Sequence, residues 1–162
     1  MEYSFIIRKA EISDAASIKK IMKPSFEKYI SEARIDSKVE ALTESVSQIE
    51  DDIKNKYVYL AMVDGVPAGS LRITVNEDGT AYLTRFGVVP DYNNMGIGKS
   101  LLALADKLMK TLNIEKLILY AAANHSELIQ FYYKRGFCVE SVDRERGYIR
   151  ARLVKEYNYR KM

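Results

Sequence analysis

A short loop with two glycines joins a strand-like run to a strongly amphipathic helix in the middle of the chain. The loop, residues 93–98, reads Asn-Asn-Met-Gly-Ile-Gly and follows a run that ends at Val89. The apolar residues that then recur at helical spacing are Leu101, Leu102, Ala105, Leu108, Met109 and Leu112. Glycine lets the backbone approach a ligand closely, and a helix N-terminus presents free N–H groups. The segment therefore predicts a strand–loop–helix unit suited to an anion such as phosphate.

The spacing of the glycines excludes two familiar phosphate-binding loops. Gly98-Lys99-Ser100 copies the end of a P-loop, but that motif needs a glycine at position 93, where this chain has asparagine. A dinucleotide-binding loop needs a third glycine, which is also missing. From spacing alone, a phosphate cradle and a simple tight turn before a helix are equally good interpretations.

The residues around this segment predict a mixed sheet. Strand-like runs precede the loop at 57–63, 68–75 and 81–89, and turn signals at 64–65 and 76–79 separate them. We expect these three runs to form an antiparallel meander. Further strands are predicted at 5–8, 116–120, 137–142 and 148–153.

Four helices are predicted between these strands. The first begins near Asp14 and should bend or end at Pro24. Ser37 and Glu40 form a capping box that would begin the second helix. Its apolar face would hold Val39, Leu42, Val46, Ile49 and Ile53. The third helix follows the glycine loop, and the fourth covers residues 126–135. This order of elements indicates an α+β, or mixed α/β, domain.

Composition limits the kind of protein this is. The 162 residues contain no repeat or biased run, so we expect one domain over residues 1–162. A net charge of +3 gives no reason to expect nucleic-acid or membrane binding. Cys138 and His125 are the single cysteine and histidine, so no internal disulfide and no metal site of several such ligands is expected. Without a signal-peptide pattern, the expected location is the cytoplasm.

Two blocks of sequence resemble the GNAT acetyltransferase superfamily. Val88-x-Pro90 followed by Gly96-x-Gly98 and residues 101–102 resembles the acyl-CoA loop of that family. Residues 131–137 resemble its Tyr-x-x-x-Gly-Phe signature, with Tyr132 at the tyrosine position. The order of elements also fits. The resemblance implies a mixed, mostly antiparallel sheet of about seven strands flanked by about four helices.

The resemblance implies acetyl-CoA as co-substrate and no metal. Its pantetheine arm would lie between the strand ending at Val89 and the strand beginning at Lys116, and its pyrophosphate on amides of residues 94–99. The implied cofactor-binding residues are Phe86, Val88, Asn93, Asn94, Met95, Gly96, Ile97, Gly98, Lys99 and Asn124.

Two positions depart from the family pattern. Asn93 stands where the family usually has Arg or Gln, and its side chain is shorter. His125 lies seven residues before Tyr132, where the family often has Asn, while Asn124 lies one residue earlier. The sequence leaves open which of the two reaches the cofactor. From the residues alone, Asn124 with Glu127 makes a capping box and His125 faces solvent.

The resemblance also implies direct attack of a primary amine on the thioester. The Val88 N–H would stabilise charge on the thioester oxygen, and Tyr132 would protonate the leaving thiolate. No base is identified, because residues 81–87 contain no carboxylate. Water, Tyr82 or a carboxylate elsewhere could serve, or positioning alone could suffice.

Three functions fit these features, and the tyrosine signature favours the first. They are an N-acetyltransferase acting on a small-molecule or peptide amine, a non-catalytic acyl-CoA-binding module, and another nucleotide-phosphate binder. The acceptor is not readable, although residues near the implied pocket are Phe26, Tyr29, Tyr148, Glu27, Glu32 and Asp36. Cys138 is expected in the core. A homodimer is one candidate assembly, and the oligomeric state is left open.

Overall fold

Seven strands form one open sheet in the computed structural model, which describes residues 4–36 and 39–158. The strands are β1 (Phe5–Lys9), β2 (Tyr57–Val63), β3 (Val66–Val75), β4 (Thr80–Val88), β5 (Lys116–Ala122), β6 (Cys138–Asp143) and β7 (Arg150–Glu156). The helices are α1 (Ala15–Ala33), α2 (Val46–Asn55), α3 (Ile97–Thr111) and α4 (Ser126–Tyr133). The predicted fold class is confirmed. No helix within these described ranges is long and apolar enough to cross a membrane.

The strands pair in the order β1-β2-β3-β4-β5-β7-β6, and every neighbouring pair except one is antiparallel. The predicted meander of β2, β3 and β4 is therefore confirmed. The exception is β4 with β5, which run parallel and pair over only three residues of each strand, from Thr80 opposite Lys116 to Tyr82 opposite Ile118. Beyond Tyr82 the two strands are unpaired and leave a gap, as the resemblance implied.

Helices cover both faces of the sheet. On one side, the α1 face, the buried residues include Ile18, Ile21, Met22, Ile49 and Ile53, with Val58 and Leu60 of β2. On the other side, the α3 face, they include Leu101, Leu102, Ala105, Met109 and Tyr132, with Leu71, Ile73, Leu83, Leu119 and Leu153 of the sheet. Successive strand residues point to opposite faces. Leu71 therefore joins the α3 face, and its neighbour Arg72 joins the α1 face.

Helix α1 continues through Pro24, so of the two predicted outcomes there, a bend or an end, the end is wrong. Proline leaves the carbonyl four residues earlier without its usual amide donor. The Ser25 hydroxyl donates nearby, to the carbonyl of Ile21 at 2.7 Å. Buried residues lie on both sides of the proline, at Met22 before it and Ala33 after it. Packing along the whole helix outweighs the local break.

The second helix begins later than predicted. Ser45 and Gln48 form its capping box, with Ser45 Oγ accepting from the Gln48 N–H at 3.1 Å and Gln48 Oε1 accepting from the Ser45 N–H at 2.8 Å. Ser37, the predicted cap, lies outside the described residues. Glu40–Leu42 form a short 3₁₀ turn instead of the first helical turns. The turn places the Glu44 carboxylate in the protein interior, where it pairs with Arg72. This tertiary contact outweighs the helical spacing of the apolar residues in the sequence.

Strand β6 lies at one edge of the sheet, which corrects the prediction for Cys138. Cys138 is exposed, as are the next four residues of the strand. The strand pairs with β7 on one side and has no neighbour on the other within the described sheet. An edge strand with little cover leaves its side chains in solvent, even where the sequence is apolar.

Candidate active site

A β-bulge opens the gap between β4 and β5. The register between β3 and β4 shifts between Ser70 and Arg72, and Arg85 adopts a left-handed φ of 53° at this point. A bulge adds one residue to one strand and bends it away from its neighbours. The residues of β4 that follow, Phe86 to Val88, therefore border the gap without pairing to β5.

The backbone of β4 points a donor into this gap. The Val89 N–H donates to the Ala68 carbonyl at 2.8 Å, on the β3 side. Successive residues of an antiparallel strand direct their N–H groups to opposite sides. The N–H of Val88 therefore faces the gap, and Phe86, two residues earlier, faces it too. This orientation suits a donor to a thioester oxygen and a partner for an extended chain.

The glycine loop forms an uncapped helix start. Asn94 and Gly96 both adopt left-handed angles, with φ of 70° and 86°. The first intrahelical bond of α3 runs from the Ser100 N–H to the Gly96 carbonyl at 3.0 Å, and no side chain of the described residues caps the helix. The amides of residues 97–99 therefore have no acceptor within the helix. Such a set of free amides is an anion site.

The two glycines of the loop have different purposes. A Cβ on Gly96 would meet nothing within 4 Å, but the positive φ there is strained for any other residue. Gly98 has ordinary helical angles, and a Cβ on it would lie 3.3 Å from the Phe86 ring and 3.4 Å from the Phe131 ring. Gly96 therefore sets the backbone path, and Gly98 lets α3 pack closely on two aromatic rings.

A positively charged groove continues from this loop. It has a volume of about 540 Å³ and is lined by Lys99, Leu102, Ala103, Asp106, Lys134, Arg135 and Lys155. Lys155 pairs with Asp106 at 2.8 Å, and the Arg135 guanidinium lies 3.7 Å from the centre of the Phe131 ring. With four cationic side chains and one carboxylate, the groove carries a net positive charge. It therefore suits a further anionic group beside the one that the amides at the start of α3 would bind.

Tyr132 lies at the base of the gap on the α3 face. It is 5% exposed, and its ring packs against Phe86, Phe131 and Phe137 at centroid distances of 6.2, 5.6 and 5.7 Å. Within the described residues, no group makes a hydrogen bond to its hydroxyl. Burial raises the pKa of Tyr132 far above its usual value, and nearby Tyr29 raises it further. The neighbouring Tyr133 is 66% exposed, so Tyr132 alone of the pair faces the interior.

Tyr29 of α1 reaches the same gap from the α1 face. Its hydroxyl accepts the N–H of Ala122, the last residue of β5, at 2.7 Å. Its ring packs on Phe26 at 5.9 Å and stacks on His125 at 6.1 Å, and Tyr148 packs in the same cluster. Burial raises the pKa of Tyr29 well above its usual value. Of the residues suggested for the acceptor pocket, the structure thus brings the three aromatic ones together.

The turn before α4 corrects two predictions. Asn124 does not cap the helix; its Nδ2 donates to the Ala33 carbonyl at 2.8 Å. His125 is the N-cap, because its Nδ1 accepts the Leu128 N–H at 3.3 Å. The ring proton therefore lies on Nε2, which is 2.7 Å from Glu32 Oε2. The His125 side chain is 12% exposed and does not face solvent, because the end of α1 packs over this turn.

The structure does not identify a general base. Glu32 is occupied by His125, while Glu27 and Asp36 are exposed. Tyr82 stacks on Tyr120 of β5, with centroids 6.5 Å apart. None of these contacts identifies one side chain as the group that takes the proton from the amine. A water molecule could take it, or positioning of the amine beside the thioester could suffice.

Two features beside the gap were missed by sequence reasoning. Arg72 is fully buried and pairs with Glu44 at 2.6 Å and with Asp52 at 2.8 Å. Its signal was a single charged residue within the strand β3. Gly87 lies directly under α1, and a Cβ there would be 2.6 Å from Ser25 Oγ. No local pattern shows that a helix passes so close to this glycine.

Comparison with known proteins shows the family. The profile of the acetyltransferase (GNAT) family matches residues 17–137. The chain belongs to the GNAT family of acetyltransferases, and its co-substrate is acetyl-CoA. The free amides of residues 97–99, the unpaired edge of β4 and the positive groove fit such a molecule. Within the described residues, no group of three or more His, Cys, Asp and Glu side chains is placed to hold a metal ion.

The chain is also similar in sequence or in fold to individual acetyltransferases. The chain is similar to a spermidine N(1)-acetyltransferase of Thermoplasma acidophilum, at 41% identity over 73 residues. That match spans 45% of this chain and 44% of the relative, so the chain covers less than half of it. A PaiA N-acetyltransferase from T. acidophilum, solved with coenzyme A, has a TM-score of 0.83 at 27% identity and covers 95% of this chain and 99% of its own. The ribosomal-protein-S18-alanine N-acetyltransferase of Escherichia coli shares the fold, with a TM-score of 0.78 at 15% identity over 98% of this chain and 97% of its own.

Proposed function

We propose that this acetyltransferase transfers the acetyl group of acetyl-CoA to a primary amine by direct attack of the amine on the thioester. The observation that carries the proposal is the convergence of two groups on one gap. The Val88 N–H faces the gap from β4, and Tyr132 lies at its base. A module that only bound acyl-CoA would have no need of an acid there. The convergence therefore favours the enzyme over the binding module.

The binding residues follow from the same geometry. The pantetheine arm lies along Phe86 and Val88, and the amides of residues 97–99 hold the pyrophosphate, with residues 93–96 shaping the loop. Lys99 and Lys134 line the groove beside the loop and suit the further phosphate that coenzyme A carries on its ribose. Asn124 would meet the cofactor through its side-chain oxygen, because its Nδ2 donates to the Ala33 carbonyl.

The chemistry requires two proton movements and one stabilised charge. Acetyl-CoA supplies the acetyl group as an activated thioester. The Val88 N–H is fixed by the strand and donates to the oxygen that gains charge. Tyr132 holds a proton near the sulfur side of the gap. An alkylamine has a pKa of about 10.4, so a neutral nucleophile is scarce at pH 7, and the rate should rise with pH as the amine loses its proton.

A polyamine is the first acceptor to test. The relative of T. acidophilum is named as a spermidine N(1)-acetyltransferase, although the similarity covers less than half of it. The aromatic side chains Phe26, Tyr29 and Tyr148 surround the acceptor side of the gap. Aromatic faces attract ammonium groups, so these walls suit an alkylammonium substrate.

The test is binding followed by turnover. Acetyl-CoA at about 100 times its Kd should stabilise the fold by ~2.7 kcal/mol, which is measurable as a rise in Tm. Wild-type protein is then incubated with acetyl-CoA and polyamines, amino acids, aminoglycosides or N-terminal peptides, and thiol release and product mass are measured. Binding without acetylation of any amine would support the non-catalytic module. No rise in Tm in a folded sample would contradict the proposal at its first step.

A further inference from the structure

The open end of β5 carries a backbone donor that its partner strand does not satisfy. The Ala123 N–H donates to the Ile149 carbonyl at 2.9 Å, on the β7 side. Ala122, one residue earlier, therefore directs its N–H to the other side, toward β4. The pairing of β4 with β5 ends at Ile118, so no β4 carbonyl meets this N–H. A buried backbone N–H that has no hydrogen-bond acceptor destabilises the folded state.

The Tyr29 hydroxyl takes the place of the absent β4 carbonyl. It accepts the Ala122 N–H at 2.7 Å, although the two residues are 93 positions apart in the chain. The Tyr29 ring is fixed by an edge contact with Phe26 and by stacking on His125. His125 is itself held by Glu32 on the next turn of α1. A side chain with this much support holds its hydroxyl in one position.

Two phenols therefore flank the gap, one from each face of the sheet. Tyr132 packs on Phe86 of β4 from the α3 face. Tyr29 bonds to the end of β5 from the α1 face. Tyr29 is also one cause of the raised pKa of Tyr132. Tyr29 thus stands where β4 and β5 would have to approach each other for the gap to close.

We propose that Tyr29 is a positioning residue that holds the gap between β4 and β5 open for acetyl-CoA. With the hydroxyl present, the Ala122 N–H is satisfied in the open arrangement. Without it, the N–H gains a partner only if β5 moves toward the carbonyls of β4, which narrows the gap. The hydroxyl therefore shifts the free protein toward the state that binds the co-substrate. The consequence for turnover rests on the proposed function, and the consequence for binding does not.

The test compares Tyr29→Phe with Tyr133→Phe. The first variant keeps the ring and its packing and loses the hydroxyl, and with it the bond to Ala122 and the polar contact with Tyr148. Loss of one buried hydrogen bond should cost about tenfold in acetyl-CoA affinity, measured by calorimetry, because a smaller share of the free protein is open. At saturating acetyl-CoA the gap is open again, so the KM for acetyl-CoA should rise by a larger factor than kcat falls. The control, Tyr133→Phe, removes a phenol that is 66% exposed and lies outside this cluster, and its Kd should be unchanged.

A second measurement does not depend on turnover. Amide hydrogen exchange by NMR should show Ala122 protected in the free wild-type protein, and about tenfold faster in Tyr29→Phe. A wild-type Ala122 amide that exchanges like an unstructured residue would overturn the proposal. So would an unchanged Kd in Tyr29→Phe, or an equal loss in Tyr133→Phe. If the protein binds acetyl-CoA and acetylates no amine, the proposed function is contradicted. The Kd and the Ala122 exchange rate still test the role of Tyr29 in that case.

Discussion

The two faces of the sheet are assembled from different kinds of contact. The α3 face is a continuous apolar core, in which α3 and α4 pack on the sheet and the glycine loop lies at its edge. The α1 face buries a charged group, Arg72, which pairs with Glu44 and Asp52. Helix α1 is also tied to the turn before α4 by hydrogen bonds from residues more than 90 positions away.

The difference separates the two halves of the site. Groups suited to the co-substrate lie mostly on the α3 face and within segments that are short in sequence, the loop 93–99 and the signature 131–137. Groups suited to the acceptor lie on the α1 face and come together only through distant pairs. A change on the α3 face should therefore alter co-substrate binding or chemistry directly. Apart from the loss of the Tyr29 hydroxyl, a change on the α1 face should alter stability first.

The largest effect is expected from Tyr132→Phe on the α3 face. The ring and its packing remain, and only the hydroxyl is removed. A general acid contributes about 10²–10⁴-fold, so kcat should fall in that range, while the Kd for acetyl-CoA changes by much less. Steady-state kinetics with any accepted amine measures the first quantity and calorimetry the second. Tyr133→Phe is the matched control, because that side chain is 66% exposed. Full kcat in both variants would show that the thiolate leaves without this acid.

The pH dependence of the wild-type rate also tests whether Tyr132 is the general acid. Burial raises the pKa of Tyr132, so its protonated form persists at low and neutral pH and is lost only as pH rises through that raised pKa. No falling limb from Tyr132 should therefore appear below about pH 10, the usual pKa of tyrosine. A rising limb from deprotonation of the amine should dominate. A falling limb near pH 8 would assign the acid to another group.

The next largest effect is expected from Arg72→Met on the α1 face. The substitution leaves the buried Glu44 without its closest partner, at a cost of about 3–5 kcal/mol of unfolding free energy. Urea or thermal unfolding measures this loss. The double variant Arg72→Met/Glu44→Leu removes both charges and should recover most of the stability. A single variant as stable as the wild type would mean that Arg85, 3.4 Å from Glu44, compensates for it.

A smaller effect is expected from Gly98→Val in the glycine loop. The new side chain would meet the rings of Phe86 and Phe131, which lie 3.3 and 3.4 Å from the Cβ position. Displacing Phe86 disturbs the strand edge that faces the gap, so acetyl-CoA affinity should fall at least about tenfold, or ~1.4 kcal/mol. Circular dichroism should stay near that of the wild type. An unchanged affinity would show that the co-substrate does not depend on this contact.

The smallest effect is expected from His125→Ala, which tests the link between the faces. The variant loses the cap on α4 and the contact with Glu32, at a cost of about 1 kcal/mol. His125→Asn is the matched control, because an asparagine at the N-cap can still accept the Leu128 N–H. If Asn restores the Tm, the cap carries the stability. If both variants lose it equally, the contact between His125 and Glu32 carries it.

Local patterns predicted much of the fold because they depend on neighbouring residues. The bounds of β2, β3 and β4, the turn at Asp64-Gly65 and the period of α3 all match the structure closely. The misses share one cause. Pro24, the start of the second helix and Cys138 were interpreted from their neighbours, while α1 and the region around Glu44 follow distant contacts and β6 follows its place at the sheet edge.

The sequence by itself determined the family, the order of elements, the glycine loop before α3 and the tyrosine of the signature. Each of these lies within a stretch of a few residues, where backbone angles and side-chain spacing are enough. Only the tertiary structure decided that Gly96 rather than Gly98 needs left-handed angles, that His125 caps α4, and that Tyr29 bonds to Ala122. These depend on how α1 lies across the sheet. A helix packed over a gap brings together groups that are about 90 residues apart, and no local pattern records which of them meet.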